Sequence, residues 1–257
     1  MGIILYRTSL KILLVMMALF SSMSMFAKQD VEFFIYFDKP PFIIDKVKQI
    51  GLSYEFMSAL NEYSEKYNYT VTLVPKKRAI YFSQAHSGVL WTNPLWVDDP
   101  DMVKYTWIKD LILERELYIT NAPHLTYEGI ESLSGKILVG VRGYTYFNLE
   151  QAFENKTITR IDVHNEKVIP LMLLSNRADV GVVGLQTYEY LKRTIPEIKD
   201  KLHILAGYKK EFYRSILIDK SQPELKQDIE NWMHSERGFA KWQALKEKWL
   251  YYVQDMP

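Results

Sequence analysis

Residues 136–184 read KILVGVRGYTYFNLEQAFENKTITRIDVHNEKVIPLMLLSNRADVGVVG, and the change of period along them decides the fold. The apolar run 136–142 predicts a buried strand, 145–154 a helix, 159–163 a strand, 165–175 a helix and 179–184 a strand. Short strands alternating with helices mark a parallel sheet with helical crossovers. The same order stands upstream. VEFFIYF (31–37) predicts a strand stopped by Asp38-Lys39-Pro40-Pro41. A helix is expected over 51–68, where Leu52, Phe56, Met57, Leu60 and Tyr63 recur at helical spacing. YTVTLVP (69–75) alternates as a strand, 76–86 predicts a helix and GVLWTN (88–93) a strand.

Two such units predict an α/β chain of two lobes. The extended segments 113–120 and 211–218 have no helix between them and their unit, so they are expected to cross from lobe to lobe. Two helices, 222–235 and 236–251, close the chain, with Trp232, Phe239, Trp242, Leu245 and Trp249 on apolar faces and the tryptophans read as core.

Residues 1–27 read as a secretory signal: Arg7 and Lys11 give a basic start, 12–20 (ILLVMMALF) is apolar but too short to span a bilayer, and small and mixed residues lead to Ala27. With no cysteine, a lipoprotein anchor and a disulfide framework are both excluded. Cleavage would remove two of 32 basic residues and none of the 31 acidic ones, leaving the mature chain about one charge from neutral. That balance argues against a nucleic-acid partner, which calls for a basic face.

DKPPFIID, GLSYEFMSAL, YTVTLVPKKRA, SLSGKILVGVRGYTY, LLSNRADVGVV and YRSILIDKSQPEL follow one another along almost the whole mature chain. In this order they resemble the family 3 extracellular solute-binding proteins, the polar amino-acid receptors of the periplasm. The resemblance implies a type II periplasmic-binding fold, with lobe 1 formed by 28–116 plus 216–257, lobe 2 by 117–215, and two hinge strands between them. It also implies a periplasmic location, a small polar solute held between the lobes, and a membrane permease of the ABC type as partner. A membrane sensor reading the same closure is the alternative.

Within that frame Gly143-Tyr144-Thr145 is expected to open a helix whose free N–H groups hold a carboxylate, or else to be a helix cap with no ligand. Arg142 and Arg78 are candidates for a bidentate carboxylate grip, Arg78 having a solvated surface charge as its other reading. Trp91, Thr92 and Asn93, like Tyr36 and Phe37, end strands at the carboxyl edge where open α/β sheets bind ligands. Trp91 and Phe37 either flank the ligand with a ring face or pack between the lobes.

The family's pattern is broken twice. Where it carries Thr-Pro-x-Arg, this chain reads Asp99-Pro100-Asp101-Met102, and Gly184 stands where an Asp would bind an α-ammonium. A carboxylate, an amine or a modified amino acid therefore stays open as ligand.

No catalytic motif appears. The five histidines are scattered, and there is no His-Glu-x-x-His, nucleophile elbow or phosphate loop, so neither metal nor cofactor is expected. The enzyme alternative is a cyclohexadienyl dehydratase, which resembles these receptors. It would draw its acid–base group from Lys104, Glu114 or Asp179.

Overall fold

The computed structural model describes residues 27–84, 87–146 and 149–251. The expected signal segment lies outside the described residues but for Ala27. Among those described, no helix is long and apolar enough to cross a membrane.

The described residues form nine strands: β1 (Gln29–Ile35), β2 (Tyr67–Leu73), β3 (Gly88–Thr92), β4 (Thr106–Thr120), β5 (Ile137–Val141), β6 (Thr159–Val163), β7 (Val180–Gly184), β8 (His203–Ile204) and β9 (Lys210–Ile218). They make one mixed sheet in the order β2-β1-β3-β9-β4-β7-β5-β6, with β8 added to β4. The parallel triplets β2-β1-β3 and β6-β5-β7 lie at its two ends. Between them run β4 and β9, antiparallel to each other. The first half of β4 (from Thr106) and the end of β9 complete the β1–β3 half, and Glu116–Thr120 of β4 pairs with β7 in the other.

The two extended segments read from the sequence are these central strands, and β4 starts seven residues earlier than expected. The pairing of β4 with β9 shifts register between Ile108 and Ile112, where Asp110 takes a left-handed φ of 56° and its N–H meets the Ser215 hydroxyl. A bulge there bends the ladder between the two halves.

Among the described residues eight α-helices accompany the sheet: α1 (Leu52–Asn61), α2 (Lys76–Ser83), α3 (Glu150–Glu154), α4 (Ile169–Leu174), α5 (Leu185–Thr194), α6 (Pro196–Lys201), α7 (Pro223–His234) and α8 (Glu236–Trp249). Each half has its own core. The first centres on Phe56, whose ring meets Trp91, Trp232 and Trp242 edge-on at 5.0 to 5.5 Å. The second joins Ile119, Val139, Ile169, Leu173 and Val183 with Leu185, Tyr188 and Leu191 of α5. Of the terminal tryptophans expected in the core, Trp232 and Trp242 are buried and Trp249 is half-buried, whereas Phe239, expected on an apolar face, is 55% exposed. After α8 the chain ties into the second half: Tyr251 and the Gln186 side chain exchange two hydrogen bonds, at 2.7 and 2.9 Å.

The helix expected over 145–154 is shorter, beginning only at Glu150. Tyr146 is the reason. Its ring lies against Gly140, where a Cβ would come within 2.6 Å of it, and its hydroxyl accepts the Val141 N–H at 2.8 Å. The chain must fold back over β5 before a helix can start.

Candidate functional site

The carboxyl ends of four parallel strands, β1 and β2 from one half and β5 and β6 from the other, face each other across a cleft of about 400 Å3. Ligands of open α/β sheets bind at such ends, and the volume suits a small solute. One wall is Tyr36–Lys39 with Leu73, Val74 and Pro75; the other is Val141, Arg142, Tyr144 and the turn His164-Asn165-Glu166.

Of the residues expected from sequence, four line the cleft: Tyr36, Phe37, Arg142 and Tyr144. Tyr36 shares a 2.9 Å hydrogen bond with the buried Thr92 hydroxyl, so Thr92 supports the wall from behind. Burial raises the Tyr36 phenol to about 12, against the lowering effects of Thr92 and Arg214. Burial, reinforced by Glu166, likewise pushes Tyr144 well above its ordinary value. Both phenols are therefore neutral at physiological pH. Arg142 is exposed, and its side chain makes no hydrogen bond or ion pair among the described residues.

The remaining expectations are placed elsewhere. Trp91 is fully buried, its indole stacked on Trp242 at 6.0 Å and donating to the Ser53 hydroxyl at 2.9 Å. A left-handed φ of 54° turns it into the first core instead of the cleft. Asn93 caps the turn Pro94–Val97 by accepting the Leu95 N–H, and donates to the Tyr213 carbonyl. Arg78 is exposed on α2 and is absent from the cleft lining. Gly143, with φ 79°, and Thr145 are exposed in the loop after β5 and also stand outside the lining. With α3 starting at Glu150, no helix opens at Thr145 to hold an anion.

The cleft floor is built from charges that local sequence patterns do not reveal. Lys39, in the loop after β1, donates to Glu166 Oε1 across the halves at 2.7 Å, with side chains 4% and 7% exposed. Glu166 Oε2 accepts the Gly184 N–H at 3.1 Å. Behind this pair, Glu114 of β4 holds Arg214 of β9 at 3.3 Å, and it also accepts the Gln186 N–H at 3.1 Å. Gly184 makes room for both: a Cβ there would lie 3.2 Å from Glu114 Oε2 and 3.3 Å from Lys39 Nζ. Two more links join the halves, Lys167 to Asp38 at 2.9 Å and the buried Thr187 hydroxyl to the Pro40 carbonyl at 2.8 Å.

Burial alone would raise the Glu166 carboxyl, but the Lys39 ammonium and the Gly184 N–H outweigh it and hold it below its ordinary value. Asp38 behaves likewise: burial acts upward, and Lys167 and Lys46 draw it down further. A carboxyl with a lowered folded pKa contributes stability that is fully present above the ordinary carboxylate range. That stability is lost as pH falls through the folded value. Acidification should therefore break both ion pairs between the halves. Small-angle scattering is expected to show the halves separating at a pH where far-ultraviolet dichroism is still native; unchanged dimensions until the helices melt would contradict this.

The three candidates for acid–base chemistry do not converge. Lys104 reaches the Asp98 carbonyl, Asp179 accepts the Ile137 N–H at 2.7 Å as a structural brace, and Glu114 is locked to Arg214.

No protein-family model and no curated sequence matches the chain. Solved structures do. An arginine-specific periplasmic binding protein from Salmonella typhimurium superposes with a TM-score of 0.64 at 12% identity, covering 87% of this chain and all of that one. A protein described as the binding component of an ABC transporter from Wolinella succinogenes, complexed with lysine, gives 0.69 at 12% identity over 89% and 99%. An ancestral amino-acid-binding protein, described as a precursor of cyclohexadienyl dehydratase, gives 0.65 at 16% identity over 86% and 96%. The chain has the two-lobed fold of the periplasmic binding proteins, as its motifs led one to expect.

Proposed function

We propose that this protein is an exported receptor that captures a small solute bearing a carboxylate between its two lobes and presents the closed form to an ABC-type permease. Catalysis is not part of this reading. One observation carries it: an inter-lobe cleft of about 400 Å3 at the carboxyl ends of four parallel strands, with an unpaired guanidinium, Arg142, on its wall. Arg142 is the carboxylate anchor, and Tyr144 and Tyr36 offer neutral hydroxyls beside it. The lobes are 28–116 plus 216–257 and 117–215, with 1–27 as the export signal and the bulge at Asp110 as one flexing point. The permease is favoured over a membrane sensor because the Wolinella succinogenes neighbour is described as a transporter component.

A thermal-shift panel of amino acids, carboxylates, polyamines and short peptides tests the reading. A solute at about a hundredfold over its Kd stabilises by roughly 2.7 kcal/mol. The Arg142→Ala variant should melt as the native protein does without ligand, since the side chain is exposed and unpaired. It should weaken the hit by about tenfold or more, the worth of one charge-assisted contact. Equal affinity in that variant would remove Arg142 from the site, and a flat panel would remove the receptor reading.

A further inference from the structure

We infer that the cleft selects a carboxylate whose α-substituent is a hydroxyl or an acylated amine, and that it rejects free amino acids because Lys39 already fills the place of their ammonium. This rests on the receptor reading and specifies its ligand.

The argument is a count of partners. Each carboxylate in or behind the cleft is already engaged by a cation of the chain: Glu166 by Lys39, Asp38 by Lys167 and Lys46, and Glu114 by Arg214. The Lys39–Glu166 pair is nearly dry, so a ligand ammonium could reach Glu166 only by displacing Lys39 from it, and the other carboxylate close to Lys39, Glu114, is already held by Arg214. Placed beside the pair instead, the ammonium would face Lys39, Lys167 and Arg142 with no free anion. Like charges brought together there repel, and with no free anion to offset them they select against a cationic ligand.

The groups left over describe the opposite ligand. Arg142 has no partner among the described residues, and a carboxylate satisfies it. Asn165, on the same wall, keeps its Oδ1 buried with no hydrogen bond, which calls for a donor from the solute. A hydroxyl or an amide N–H supplies that donor without bringing a positive charge. Gly184 fits the same picture: the bare position lets Lys39 approach where a side chain would collide with it.

Isothermal titration of the mature protein with matched sets decides the matter. Alanine, leucine, phenylalanine and glutamate would each be compared with the corresponding α-hydroxy acid and N-acetyl derivative. We expect a hydroxy or N-acetyl member to bind at least about tenfold more tightly than its amino-acid counterpart. In Lys39→Met, where Glu166 is left without a cation, that preference should narrow or reverse. An amino acid bound by the native protein as tightly as its derivatives would overturn the inference while leaving the receptor reading standing. Binding of no member of any set would overturn both. The native measurement is decisive by itself should the variant fail to fold.

Discussion

Lys39→Met is expected to lower the free energy of unfolding by about 3–5 kcal/mol, the usual result of stripping one partner from a buried ion pair. Met keeps the length and most of the volume of the lysine stem, so the loss is electrostatic. Glu166 stays 7% exposed and keeps only the Gly184 N–H as donor. The unpaired carboxyl would then be driven upward in pKa by burial, so the deficit should shrink on acidification as Glu166 takes up a proton. Replacing both residues, as in Lys39→Met with Glu166→Leu, should recover most of the loss, because a well-packed apolar pair is about as stable as the ionic one. Urea denaturation of the native protein, the two single variants and the double variant checks this as a cycle. The result also reports on closure. A loss below about 1 kcal/mol is what an exposed pair would give, and it would mean that the lobes stand apart in solution.

Closure built on the chain's own charges changes what a ligand has to do. A solute can shift the open–closed balance only by its differential affinity for the two states. Here Lys39–Glu166, Asp38–Lys167 and Thr187–Pro40 already favour the closed form without it. A carboxylate ligand held as proposed would add its contacts to Arg142 and Asn165 to this lock without replacing it. A receptor of this kind discriminates by which partners are left unsatisfied, not by a general affinity for charge.

The parts of this design visible in the sequence are those governed by local pattern. Strands β1, β2, β3, β5, β6, β7 and β9 declare themselves by short runs of β-branched and aromatic residues, and they end within two residues of expectation. The pairing of β4 with β9 shows only as extended sequence without a helix. Residues 185–194 carry an apolar stripe, Leu185, Tyr188 and Leu191 at helical spacing, with polar Gln186 and Thr187 buried beside it for tertiary reasons: the Gln186 side chain binds Tyr251, and Thr187 binds Pro40. Helix α5 is thus legible by its period, whereas α6, six residues long, is too short to show one. Trp91 misleads because all five residues of β3 are buried, so alternation says nothing about which face it takes. The floor of the cleft is the least legible of all. Lys39 and Glu166 lie 127 residues apart, and no local pattern links them. The one local clue is a lysine between an apolar strand and two prolines, where a solvated charge has little reason to be.

The second large effect belongs to Arg214. Its guanidinium is 3% exposed, bonded to Glu114 at 3.3 Å and to the Trp91 carbonyl at 3.0 Å, and it lies 5.0 to 5.5 Å from the ring centres of Phe37, Phe42, Trp96 and Phe212. Arg214→Met is expected to cost about 3–5 kcal/mol, since Glu114, wholly buried, would keep only backbone donors. Arg214→Lys tests the shape of the cation separately from its charge. An ammonium cannot span Glu114 and the Trp91 carbonyl with a planar fork while stacking among four rings, so much of the loss should persist. Full recovery by lysine would show that only the charge matters. The location gives the loss a functional side. Arg214 and Glu114 sit on β9 and β4, the strands that pass between the lobes, and Trp91 anchors the first core. Phe37 joins that cage to the cleft wall. In Arg214→Lys the scattering dimensions of the ligand-free protein should therefore increase along with the loss of stability. A variant destabilised to the same degree in the first core, such as Phe56→Leu, should leave those dimensions unchanged.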